Sequence, residues 1–376
     1  MAMPANFGFG EEEQMLRDAA RKFFADNLPS DRLHRLVAAP GVAGAERWDP
    51  GLWEQMAALG WTGIAVPERC GGVGMPVVAA VALAEEAGRA GLPAPLVGTL
   101  QASRLLVGCA SAAADAALGD IVAGQAVALA ITDARGAWRG DACELVWQDG
   151  TVTGTAPWVQ DATKCAAFVV KARGPAGAGL YLVRAGAPGV TIVPDAIVDL
   201  TRDQGSLVLA GAAAIELVAS GGAAAVVAEA EAALFIFVAA DLCGAAEWLL
   251  QTTAEYARVR QQFDRPIGFF QAVKHPLVDV MMSIDLARSH LYNAACAIDH
   301  EPERALRAAH MAKAAAADAA RFGASRAVQL HGGIGFTWEC YVQLYFKRQL
   351  HNEALFGDGD WHRARLGAML IDTAAA

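Results

Sequence analysis

Arg258 and Arg260 close a long helical run, and residues 264–268 turn the chain before Phe269, Phe270 and Gln271. A guanidinium in that place offers two parallel N–H donors, a geometry that meets a pyrophosphate. Phe263 adds an apolar face for a ring system, and Gln271 an amide for a second acceptor. Further on, Gln329-Leu330-His331-Gly332-Gly333 sets two glycines after another helical run. Without a Cβ, a backbone can approach a ligand closely. Each block also has a plainer reading. Cations complement the C-terminal end of a helix dipole, and glycine after a helix is a common cap. On residue types alone the two readings stand level.

The elements that carry these residues follow from periodicity. Glu11-Glu12-Glu13 suits a first helical turn, where acidic groups complement the dipole. Met15, Leu16, Ala19, Phe23 and Phe24 then recur at helical spacing. A second helix is expected over residues 52–59, ending near Gly60, and a third over 76–89, with Gly91, Pro93 and Pro95 as breakers. Short runs rich in Val, Ile, Leu and Thr fill residues 127–132, 143–147, 151–154, 166–171, 179–184, 189–193 and 207–209. Gly, Pro and Asp separate them, the pattern of an antiparallel sheet. Long helical stretches return at 235–259, 276–299 and 302–329, lengths that suit a bundle. The expected organisation is helical over 1–122, sheet over 123–220 and a helical bundle over 221–376.

Composition narrows the classes of partner. The chain is 55% hydrophobic and 19% charged, enough apolar content for a large core and too much for disorder. A net charge of -10 argues against a nucleic-acid partner, because phosphate backbones select clustered Lys and Arg. The 7 cysteines form no Cys-x-x-Cys pair and no finger spacing with His, so thiols of a reducing cytoplasm are expected and no metal site. Residues 1–10 lack the basic start and apolar run of a signal peptide. The most membrane-like segment, 223–243, is broken by Glu229, Glu231 and Asp241, which fits a buried bundle helix better than a membrane span.

The order of the motifs resembles the acyl-CoA dehydrogenase family. Arg260, Phe263, Pro266, Ile267, Phe270 and Gln271 match one flavin-binding signature of that family, with Asp264 in place of the usual glycine. Gln329 to Gly333, continued by Gly335-Phe336-Thr337, matches a second. Weaker matches run along the chain: Leu59-Gly60-Trp61, Val66-Pro67-Glu68, Gly71-Gly72, Trp158-Val159 and Asp199-Leu200-Thr201-Arg202. The resemblance implies a helix–sheet–helix fold, an acyl-CoA substrate, FAD, a tetramer and an electron-transfer flavoprotein as electron acceptor. It also implies that Arg260, Phe263, Gln271, Gln329, Gly332 and Gly333 hold the FAD of a neighbouring subunit. His331, inside the second motif, is expected to be structural.

The departures fall on the chemistry. A Thr-Glu-Pro run is usual in the family where this chain reads Thr132-Asp133-Ala134, and a hydroxyl is usual where it has Gln160. The family's base, a glutamate after Tyr, aligns with Gly357 after Phe356. Some members carry the glutamate on the first long C-terminal helix, where Leu234 stands here, one turn from Glu231. Asp358, Asp360 and Glu353 are the remaining nearby carboxylates. The resemblance therefore points to a subunit that completes the FAD site of a glutamate-bearing partner in a heterotetramer. The alternatives are a homotetramer using Asp358 as base and a scaffold without catalysis.

Overall fold

The computed structural model describes residues 4–38, 47–141 and 143–374, so the first three residues of the N-terminal stretch lie outside the described residues. Among the described residues six α-helices come first: α1 (Glu11–Asn27), α2 (Ser30–Val37), α3 (Pro50–Ala58), α4 (Val77–Arg89), α5 (Leu96–Cys109) and α6 (Ala112–Val122). Eight strands follow: β1 (Val127–Ala130), β2 (Leu145–Gln148), β3 (Thr151–Gln160), β4 (Ala167–Gly174), β5 (Gly177–Arg184), β6 (Val190–Pro194), β7 (Gln204–Ala213) and β8 (Ile215–Val218). Then come α7 (Ala223–Val259), a small hairpin of β9 (Gln261–Gln262) and β10 (Arg265–Pro266), α8 (Gln271–His300), α9 (Pro302–His331), α10 (Val342–Ala354) and α11 (Gly359–Ala374). By contacts, Met1–Arg35, Val77–Leu92 and Ala232–Ala376 group into one compact unit, and Leu36–Pro76 with Pro93–Glu231 into a second.

In the second unit the sheet is mixed, not purely antiparallel as the strand pattern suggested. Its order is β6-β7-β3-β2-β4-β5-β8, with β1 also on β4. β1 pairs Ala167 to Val170 in parallel, and β2 pairs Ala172 and Arg173 in parallel. β1 and β2 therefore lie along one edge of β4 like a single interrupted strand. The interruption is the 131–144 loop, which holds the worn Thr132 motif. That loop is tied down from below. Buried Lys171 donates to the carbonyls of Trp138 (2.9 Å) and Gly140 (3.3 Å). Thr132 donates its hydroxyl to the Pro157 carbonyl at 3.1 Å. β4 and β5 are buried on both faces, which explains their unbroken Val, Leu and Phe runs. In this unit α3 starts on a side-chain cap, with Asp49 accepting from the Gly51 and Leu52 amides, and Pro50 opens its first turn.

In the first unit α8 and α9 form a long antiparallel hairpin turned at Glu301. The buried face of α9 is almost all alanine, including Ala309, Ala312, Ala316 and Ala320, which lets helices approach closely. α4 and α7 cross closer still. A Cβ on Gly244 would fall 1.8 Å from the Glu85 carbonyl oxygen, and one on Gly88 2.3 Å from that of Asp241. The same crossing buries a bidentate pair, Arg348 to Asp241 at 2.8 and 2.5 Å, joined by Asn352 at 2.6 Å. The apolar stripe read on α1 is shifted. Ala20 and Phe24 are buried while Met15 is 65% exposed, and Glu13 folds back to accept the Gly10 amide at 2.8 Å. α7 is long and apolar enough to cross a membrane, and 72% of its most apolar window is buried in the protein's own fold, as a core helix would be.

Candidate functional site

The six sequence-predicted cofactor residues all lie exposed on the first unit. Three of them, Arg260, Gly332 and Gly333, line one groove of about 400 Å³, with Tyr256, Gln262, Ile267, Leu330, His331 and Ile334. Arg260 leaves α7 with its backbone fixed at both ends: its amide donates to Tyr256 and its carbonyl accepts from Ile267. Among the described residues its guanidinium has neither an ion-pair nor a hydrogen-bond partner. Gln271 starts α8, and Gln329 lies in the last turn of α9. Neither they nor Phe263 line this groove.

The glycines of this groove are not demanded by packing. A Cβ on Gly332 or Gly333 would meet no atom within 4 Å. Gly332 does adopt φ 66° and ψ −147°, a region essentially restricted to glycine. The groove wall is an aromatic stack of Tyr256 on His331, with ring centroids 4.3 Å apart. His331 is buried, its Nδ1 lies 2.8 Å from the Ala327 carbonyl, and burial pushes its pKa down. A neutral, packed imidazole fits the structural role expected of it. Tyr256 was not singled out in the sequence. It lies one helical turn before Arg260 on the same face, and that spacing was the available signal.

Phe263 stands apart on the β9–β10 hairpin. Gln262 pairs with Arg265, leaving a two-residue turn of Phe263 and Asp264. Both residues are left-handed, at φ 55° and 59°. This is the form that favours Asn-Gly, so a Phe-Asp turn is strained. At the tip of this turn Phe263 is 84% exposed.

The region where a base would stand is built in the opposite way. Gly357 has no side chain and sits at φ 93°, after left-handed Phe356. The next residue, Asp358, caps α11 by accepting the Trp361 amide at 2.8 Å. Asp360 pairs with Arg363 at 2.6 Å, and that guanidinium holds its carboxyl below the usual range. Glu353 is ion-paired to Arg321. In the second unit, Glu231 accepts from Trp138 Nε1 at 2.7 Å and binds the Arg139 guanidinium through both oxygens. Leu234 is fully buried.

Beneath the Gly357 turn lies a buried basic cluster that the sequence reading did not single out. Lys313 donates to the carbonyls of Glu353 and Gly357, each at 2.9 Å. Burial pulls its pKa down to about 7, against the opposing pull of Glu353 and Asp358. Beside it His310 and His362 face each other with Nδ1 atoms 2.7 Å apart. Burial, then the Lys313 charge, pushes His362 down to about 2. Both imidazoles pack against Phe235. Their spacing along the chain, 52 residues, gave no local pattern to read. Among the described residues no cluster of His, Cys, Asp and Glu is arranged to hold a metal.

Comparison with known proteins assigns the fold. Residues 10–123 match the acyl-CoA dehydrogenase N-terminal domain, and residues 236–371 match its C-terminal domain. Acyl-CoA dehydrogenase IpdE2 of Mycobacterium tuberculosis is 31% identical over 339 residues, 90% of this chain and 91% of that protein. The chain belongs to the acyl-CoA dehydrogenase family. Two solved structures are similar throughout. A variant of the Tcur3481-Tcur3483 steroid ACAD matches with a TM-score of 0.86 at 30% identity, over 98% of this chain and 100% of that one. The ChsE4-ChsE5 complex of Mycobacterium tuberculosis matches at 0.85 and 28% identity, over 97% and 99%. As an acyl-CoA dehydrogenase the chain is an oxidoreductase by family. Its exposed groove and its occupied carboxylates are then the two features that bear on its role.

Proposed function

We propose that this chain is the base-deficient subunit of a heteromeric acyl-CoA dehydrogenase, completing the FAD site of a partner that carries the glutamate. One observation carries the reading. Every carboxylate near the family's base positions already has a structural task, while Arg260, lining the exposed groove, has no side-chain partner among the described residues. FAD, when bound, would supply the acceptor for the β-hydrogen of an acyl-CoA thioester, which leaves as hydride. The partner's carboxylate takes the α-proton, so atoms and charge balance without a base here.

This chain's own residues bind and position. Arg260 fits a pyrophosphate, the bare Gly332-Gly333 backbone admits an adenylate close to its surface, and Phe263 offers a ring face. Gln271 and Gln329 supply further amides to the same cofactor. In chain order, residues 221–376 carry this role, after a helical 1–122 and a sheet 123–220. Paired chains are named in both similar structures, and one is called a steroid ACAD. That favours a bulky acyl-CoA and an assembly of unlike subunits. A tetramer, a cytoplasmic location and an electron-transfer flavoprotein as acceptor are proposed from the family resemblance and the sequence alone.

The test is flavin bleaching by a panel of acyl-CoA thioesters, short-chain to steroid-derived. The lone chain should show little bleaching, and co-expression with a glutamate-bearing partner should restore it. Asp358→Asn should leave the restored rate within about twofold, because a base is worth roughly 10²–10⁴-fold and this carboxylate is a cap. Robust turnover by the lone chain that vanishes in Asp358→Asn would make Asp358 the base and end the heteromer reading.

A further inference from the structure

The glycine at position 357 is held in place by a neighbour. A Cβ built there would lie 2.6 Å from Trp361 Cε3, 2.8 Å from Cδ2 and 3.3 Å from Cγ. Those are ring atoms of a rigid indole, so relief requires the whole ring to move. The ring is wedged. Phe235 meets it edge-on at 6.2 Å, His310 and His362 lie at 5.7 and 4.9 Å, and the Arg365 guanidinium covers it at 5.0 Å. The turn itself is fixed as well. Lys313 holds the Gly357 carbonyl from beneath, and the Trp361 amide is anchored on Asp358.

We infer that Trp361 enforces glycine at position 357, so that the chain is bound to a base supplied from outside and no single substitution at 357 restores one. The inference deepens the proposed function, since it rests on reading 357 as the base position. Two costs oppose a side chain here. The left-handed backbone penalises any L-residue, and the indole excludes its first carbon. Only the second depends on Trp361, and this separates them experimentally.

The experiment is a double-mutant cycle on the folding equilibrium of the full chain, using Gly357→Ala and Trp361→Ala in urea. With Trp361 present, Gly357→Ala should lower the folding constant roughly 10²–10³-fold, the backbone and steric costs together. In the Trp361→Ala background the same change should cost only about 10-fold, the backbone cost alone. Trp361→Leu supplies the same cycle if the alanine variant does not fold. Equal losses in both backgrounds would overturn the inference. The readout is folding, so it does not depend on flavin or partner. Failure of partner reconstitution would reject the proposed function and leave this cycle's answer standing.

Discussion

The groove at Arg260 and the turn at Gly357 belong to the same compact unit, yet they treat polar groups in opposite ways. Around the groove, Arg260, Gln271 and Gln329 are exposed, and the glycines have open space before them. Around the turn, Asp358, Asp360 and Glu353 each have a partner, and a buried lysine is spent on two carbonyls. Folding normally satisfies polar groups within the chain, since leaving them unmet is costly when they are buried. A surface that keeps good donors unused and holds a phenylalanine outward on a strained turn is arranged for something outside the chain. At the turn, by contrast, each nearby carboxylate is tied to a partner within the chain. The contrast, and not the missing glutamate alone, favours a subunit that holds a cofactor and leaves proton abstraction to another.

The largest expected effect comes from the buried cluster beneath the turn. His362 keeps a folded pKa of about 2 against an ordinary 6.5. As pH falls below 6.5 the unfolded chain takes up a proton there and the folded chain does not. Stability therefore drops with falling pH by about 1.4 kcal/mol per unit from this group, and the loss continues until the folded pKa is reached. His362→Phe should flatten that limb in urea titrations between pH 6.5 and 4.5. A parallel pH profile in the variant would show that the cluster is not held neutral, and the contrast would weaken.

The groove should respond in the reverse manner, through ligand and not through folding. Arg260→Ala is expected to weaken flavin binding in the active assembly by about 1.5–3 kcal/mol, roughly 10- to 150-fold in Kd. Chain stability should stay within about 0.5 kcal/mol, because among the described residues the guanidinium has no partner to lose. Full flavin occupancy with a destabilised chain would reverse the assignment and make Arg260 structural. The smallest effect is at the hairpin. Asp264→Gly relieves one left-handed residue and should stabilise the chain by about 0.5–1 kcal/mol in thermal melts. A loss of stability there would mean that the Asp264 side chain, and not backbone strain, governs the turn.

Much of the framework was legible in residue order. The three long C-terminal helices were found: the stretches read at 223–243 and 235–259 together cover α7, and the expected ends of α8 and α9 fall only a few residues short, α8 because Pro276 was read as its start. α5 was missed for a related reason. It is buried nearly all round, so no polar face alternates with its apolar one. β8 was missed because it is four residues long and half exposed, with Glu216 inside it. β3 runs six residues past the expected end, through a bulge at which Trp158 turns left-handed.

The sequence by itself determined the family and the helix–sheet–helix order, and it singled out the residues proposed here to hold the cofactor. Those rest on local chemistry: residue type, spacing, and the turn and cap preferences of glycine and aspartate. Tertiary structure alone decided which charges are free and which are spent. Glu231 finds Arg139 across 92 residues, Lys313 finds the Gly357 carbonyl across 44, and Trp361 closes over Gly357 through a turn no propensity encodes. Pairing depends on distance in space, and chain spacing carries that information only within a helix turn or a hairpin.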